Sequence, residues 1–197
     1  MISSHGAPAV VPAGRLADGD QPVLPLPGGL ELRPWHLSDA DADALHTAGR
    51  DPAISKWNLF RVDSRDQART RIERLHERRR TETGAIWAIA PLGDAAVGLA
   101  GLNDVDLARG TAEVVYWVLP EARGGGVAVQ AARRLSDWAL ADLGLHRLSL
   151  YHAVANPASC RVAEKAGYTF EGTLRSAELH TDGWHDLHLH ALVAGDV

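Results

Sequence analysis

Residues 113–128 read Glu-Val-Val-Tyr-Trp-Val-Leu-Pro-Glu-Ala-Arg-Gly-Gly-Gly-Val-Ala, an apolar strand that passes through a triple-glycine turn straight into a helix. The first amide N–H groups of a helix have no partner within it, and the helix dipole adds partial positive charge at that end. Glycines beside those amides let a diphosphate come close to the main chain, so the stretch predicts an anion seat for a phosphorylated cofactor. A P-loop would place Lys and then Ser or Thr after the glycines, and the dinucleotide-binding glycine spacing is also missing. Beyond the turn, Ala128, Ala131, Ala132, Leu135, Trp138, Ala139 and Leu143 recur at three- and four-residue intervals. That is one apolar face of a helix, with Gly144 as its stop.

Upstream, residues 85–90, 95–103 and 111–119 read as three strands joined by turns at Gly93-Asp94 and Arg109-Gly110, which predicts an antiparallel meander. Before it, residues 30–33 alternate as a strand that Pro34 ends. Ser38 followed by Asp41, and Ser64 followed by Gln67, mark two helix starts in the manner of capping boxes. The first of these helices stops near Gly49, and the second carries Ala68, Ile72 and Leu75 on one face to about Arg80. Downstream come a strand at 146–154, a short helix at 157–166 opened by Pro157 and closed by Gly167, and strands near 168–175 and 184–193. The sum is an α+β protein, a mixed, mostly antiparallel central sheet flanked by helices.

The chain has 197 residues, 46% of them hydrophobic, which suits one domain with a proper core. A net charge of −5 gives no electrostatic reason for nucleic-acid binding. Cys160 is the single cysteine, so no intramolecular disulfide can form; with no signal peptide and no membrane-length apolar run, the expected place is a reducing cytoplasm. Residues 1–29 hold five of the ten prolines and predict a flexible Pro/Gly-rich arm ahead of a domain at 30–197. Val23, Leu24 and Leu26 remain free to pack on the domain or on a second subunit of a homodimer.

A second motif follows the first: Asn156-x-x-Ser159, then Glu164-Lys165-x-Gly167-Tyr168. Together with Arg123-x-x-Gly126-x-Ala128 it resembles the GNAT family of acyl-CoA N-acyltransferases, and in particular the branch that acetylates ribosomal-protein N-termini. The resemblance covers residues 30–193. It implies acetyl-CoA as acyl donor, no metal, and a peptide or small-molecule amine as acceptor. It implies strands that splay to admit the pantetheine arm, with Trp117 and Val118 supplying the open edge. Arg123, Gly124, Gly125, Gly126, Val127 and Ala128 would take the diphosphate, and Asn156 the pantetheine. Gly125 stands where relatives often carry Lys or Arg; Arg133, Arg134 and Lys165 are the nearby cations able to compensate.

The same resemblance implies direct attack of the amine on the thioester, with a main-chain N–H near Val118 stabilising the oxyanion. Many family members place a tyrosine at the position of Ala163, so Ser159 is the expected proton donor to the thiolate. Glu113 is the candidate base. Tyr116 either faces the thioester or belongs to the core. A bulkier donor such as succinyl-CoA, or a non-catalytic CoA-binding module, would leave the same motifs in place. The histidines at 180, 185, 188 and 190 fit no known metal-ligand spacing and read as a solvated hairpin, or as a source of an acceptor-side base. Cys160 reads as a small buried hydrophobe. Eight arginines between Arg61 and Arg80 against four acids predict a basic face at the acceptor entrance, with Trp57 and Phe60 as candidate floor.

Overall fold

The computed structural model describes residues 8–196. Strands are β1 (Leu24–Leu26), β2 (Leu30–Pro34), β3 (Gly84–Pro91), β4 (Gly98–Asp106), β5 (Thr111–Val118), β6 (Arg147–Ala153), β7 (Thr169–His180) and β8 (Gly183–Val193). Helices are α1 (Asp39–Arg50), α2 (Pro52–Asn58), α3 (Arg65–Arg80), α4 (Val127–Asp137) and α5 (Pro157–Lys165). The strands form one sheet in the order β1-β2-β3-β4-β5-β6-β8-β7. Every neighbouring pair is antiparallel except β5 and β6.

Each face of the sheet has its own core. Ala112, Val114 and Val118 of β5 join Leu148 and Leu150 of β6 under α4 and α5, whereas Trp117 packs with Trp35, Leu45, Phe60 and Ile72 under α1–α3. This follows from the strand period of two. β3 is buried on both sides over Gly84–Ala90, which is why its sequence is a continuous apolar run rather than an alternating one.

The helix starts form where the serines and acids set them. Ser38 and Ser64 accept from the amides of Asp41 and Gln67, each at 3.2 Å. Asp41 does not complete a capping box at Ser38. Its carboxylate, almost fully buried, is gripped by the two terminal guanidinium nitrogens of Arg33 at 2.7 and 2.8 Å and by the His36 amide at 2.8 Å. Burial pushes that carboxyl up, but these donors outweigh it and hold it below the usual carboxylate range. No sequence signal marks the helix Pro52–Asn58. There Asp51 caps the Ile54 amide at 2.8 Å and Pro52 fills the first turn, a helix too short for a periodic signal.

The expected mobile arm differs most from the structure. Residues 1–7 lie outside the described residues, but from residue 8 the segment is docked. Val10 and Val11 donate to the carbonyls of Ala108 and Leu107, and the Glu82 carboxylate accepts the amides of Gly14, Leu16 and Ala17 at 2.7–3.2 Å. The Trp87 indole donates to Pro22 at 2.7 Å, and β1 adds an edge strand to the sheet. Val11, Leu16, Leu24 and Leu26 are buried. Four apolar side chains spread along a proline-rich segment suffice to bury it, because the proline segment has less conformational entropy to lose.

Candidate active site

β5 and β6 pair only at Thr111–Glu113 with Arg147–Ser149. Beyond that the two strands separate, and a cleft of about 950 Å³ opens between them, running from the start of α4 to α2 and α3. The peptide groups of a strand alternate in direction. The Trp117 carbonyl is directed at β4, lying 2.7 Å from where a Cβ on Gly98 would sit. The groups that face the gap therefore belong to Val114, Tyr116 and Val118, and of these the Val118 carbonyl already accepts from Arg123 Nε at 2.9 Å. Of the two residues expected at the open edge, Val118 keeps its N–H available. Trp117 lines the cleft but commits its backbone to β4 and its indole to the core beside Trp35 and Phe60.

α4 begins with no side-chain cap and no acid in its first turn. Gly126 is its N-cap at φ +77° and Gly124 sits at φ +86°, left-handed angles that glycine adopts without strain. Gly124, Gly126, Val127 and Ala128 line the cleft; Gly125 does not. Arg123 also lines the cleft, and its guanidinium pairs with Asp51 at 3.0 Å, tying the glycine turn to α2. Arg133 donates to the Lys165 carbonyl instead of facing the seat. The cations that line the cleft near α5 are Lys165 and Arg161; Arg161 had no sequence signal beyond its place beside Ser159.

Asn156 caps α5, its Oδ1 accepting from the Ser159 amide at 3.2 Å. Ser159 Oγ lies 2.6 Å from the Tyr116 hydroxyl. Burial pushes the Tyr116 phenol up to about 12, despite the opposing bond from Ser159, so it remains protonated and can donate to the serine. Tyr116 thus belongs both to the core margin and to the site. Cys160, expected to be buried, is only half-buried, with Sγ 3.7 Å from a Glu164 carboxylate oxygen.

Glu113 lies across the sheet from Ser159, on the face of α1–α3, as the alternation along β5 requires. The β4–β5 register slips between Asn103 and Asp106, with Asp104 at φ +48°. Burial pushes the Glu113 carboxyl up to about 7, with Asp104 and Glu178 adding to the effect and Arg78 opposing it. Around it the cleft is lined by Trp57, Phe60, Arg71 and Arg78. Half of the expected basic face is neutralised locally: Arg61, Arg65, Arg69 and Arg80 pair with acids. Arg71 instead lies over the Phe60 ring, 4.4 Å from its centroid.

Comparison with known proteins agrees with this geometry. Residues 29–169 match the acetyltransferase (GNAT) domain family. The chain is 30% identical over 158 residues to a putative ribosomal N-acetyltransferase, YdaF, of Bacillus subtilis, covering 79% of this chain and 86% of the relative. It is 29% identical over 140 residues to the ribosomal-protein-serine acetyltransferase of Escherichia coli, covering 70% and 75%. A crystal structure of a probable acetyltransferase superposes with a TM-score of 0.80 at 26% identity, covering 89% of this chain and 98% of the other. RimL in complex with coenzyme A superposes at 0.78 and 20% identity, covering 89% and 100%, and so shares the fold. With that domain match spanning most of its length, the chain belongs to the GNAT family of N-acetyltransferases.

Proposed function

We propose that the cleft binds acetyl-CoA and passes its acetyl group directly to a primary amine, with a peptide N-terminus as acceptor. The observation that carries this reading is the opening of the sheet between β5 and β6 beside the uncapped start of α4. One continuous cleft then offers strand peptide groups to pantetheine and helix amides to diphosphate. The coenzyme A held by RimL and the names of the two relatives as ribosomal acetyltransferases support it.

In this reading Val127 and Ala128 donate their amides to the diphosphate, Gly124 and Gly126 shape the turn, and Gly125 keeps it free of bulk. Arg161 and Lys165 supply the cations. Asn156 has its carbonyl oxygen occupied by the cap, so its amide N–H groups are the ones left for pantetheine. The Val118 N–H meets the oxyanion as the amine attacks. Glu113, poised near neutrality, takes the amine proton through water. Ser159 donates its proton to the departing thiolate and is refilled from Tyr116. Arg71 and Arg78 give the acceptor side a preference for peptides with acidic residues near the terminus.

The test is release of free CoA from acetyl-CoA with panels of peptides, polyamines and aminoglycosides. Amine-dependent release, greatest with peptides, is expected. Calorimetric binding of CoA without release by any amine would overturn catalysis and leave a binding module, and a faster reaction with succinyl-CoA would reassign the donor.

A further inference from the structure

The hairpin histidines acquire partners that the sequence order hides. His152 on β6 lies directly opposite His188 on β8, and Leu150 lies opposite His190. His152, His188 and His190 therefore share one face of the sheet, the face covered by α5, from which Cys160 projects. One ligand atom from each of these four residues lies within 4.8 Å of the other three. We propose that they form a binding site for a borderline-soft divalent cation, zinc being the reference ion.

Three observations carry this. First, His152 Nε2 and His190 Nε2 face each other at 3.2 Å, close to the ~3.3–3.4 Å edge between two imidazole nitrogens on a tetrahedral zinc with Zn–N ~2.0–2.1 Å. Second, His152 Nδ1 is 2.9 Å from the Ala153 carbonyl. That bond fixes the proton on Nδ1 and turns the Nε2 lone pair inward, the outer-sphere arrangement of a metal-bound histidine. Third, His188 Nδ1 is buried with no hydrogen-bond partner among the described residues, which leaves that nitrogen available as a third imidazole ligand. A bond between the His152 and His190 rings alone leaves the convergence of His188 and the thiol unexplained.

The neighbouring group His180, Asp182 and His185 provides the contrast. There the His180 nitrogens meet Lys56 and Glu178, and His185 meets Asp182 at 2.7 Å, so ordinary hydrogen bonds account for its geometry.

Three nitrogens and one sulfur favour zinc, or cobalt as its stand-in, over magnesium or calcium. Bringing all four ligands to bonding distance needs side-chain rotations that close the widest separations by about an ångström. The half-buried thiol leaves a way in. Coordination forms bonds from the ion to three imidazole nitrogens and the sulfur, releases the Cys160 proton to solvent, and moves the His190 proton from Nε2 to Nδ1, which ends the hydrogen bond between the His152 and His190 rings. The ion would tie α5 to β6 and β8 one residue away from Ser159, fixing the helix that carries the proposed proton donor.

The full chain, freed of metal with a chelator, is titrated with Zn²⁺ by calorimetry and with Co²⁺ by absorption. The expected result is about one equivalent bound, a thiolate-to-cobalt charge-transfer band, and displacement of Co²⁺ by Zn²⁺. Cys160→Ser should abolish the band, and Cys160→Ser and His188→Asn should each weaken Zn²⁺ binding by about tenfold or more; both positions are only partly buried, which spares the fold. Asp182→Ala should change neither signal. Absence of saturable binding of both ions, undiminished binding in the Cys160 and His188 variants, or loss of binding in Asp182→Ala would overturn the site.

Discussion

Replacing Glu113 by Gln should slow the enzyme and, above neutral pH, make it more stable. The carboxyl is displaced from 4.5 to about 7, chiefly by burial. The folded state thus holds this proton more tightly than the unfolded chain does. Stability contributed by the protonated group is complete below the unfolded value, declines as pH rises from 4.5 towards 7, and is lost above the folded value. At about 1.36 kcal/mol per tenfold change in proton affinity, the displacement corresponds to about 3 kcal/mol. A half-buried group keeps part of its hydration, so about 1–2 kcal/mol is the expected penalty at pH 8. Gln is uncharged at every pH and escapes it. Melting followed by circular dichroism should show Glu113→Gln above the parent by about 2–8 °C at pH 8, with the difference shrinking towards zero at pH 4. In the same variant kcat/KM should fall by about 10²–10⁴ and lose the limb that rises through pH 7. An unchanged melting difference across that range, together with a surviving limb, would refute both the displaced ionisation and the role as base.

Ser159→Ala should lower kcat by about 10–100-fold while leaving the CoA Kd within about twofold by calorimetry; Tyr116→Phe should have a smaller effect, since it removes only the refill. At the N-cap of α4, Gly126→Asp puts a carboxylate where the diphosphate would sit, so CoA binding should weaken by at least about tenfold, whereas Gly126→Ala should show only the ~1–2 kcal/mol strain of a left-handed residue in thermal melts. Asp41→Ala strands the buried Arg33 guanidinium and should destabilise by about 3–5 kcal/mol in urea melts. Because the Asp41 carboxyl is held below 3.8, its contribution in the parent is present above that pH and fades as pH falls through the lowered value.

What the sequence made legible was local. The meander, the glycine turn and the serine caps at 38 and 64 depend on residues within a few positions of one another, and all reappear in the structure. The pairing of Ser159 with Tyr116 was hidden, since it joins residues 43 positions apart, although each was singled out alone. His152 carried no signal at all: an isolated histidine in an apolar strand gains meaning only from the register that sets it against His188. Arg123 was legible only in part: its place in the motif pointed to the cleft, which it lines, but its side-chain pairing with Asp51, at the start of a helix too short to read, was hidden. The docking of the N-terminal segment is not legible in its composition, because its anchors are few and their receiving surface lies far along the chain.

That distance also has a bearing on how the protein is made. Val10 finds its hydrogen-bond acceptor at Ala108 and Arg15 finds its own at Asp142. Translated at roughly 5–20 residues per second, the leading segment waits about 5–20 s for the first of these to be polymerised. During that interval Val11 and Leu16 are exposed to chaperones, proteases and neighbouring nascent chains. Fastening of this strap is thus a late event on the ribosome.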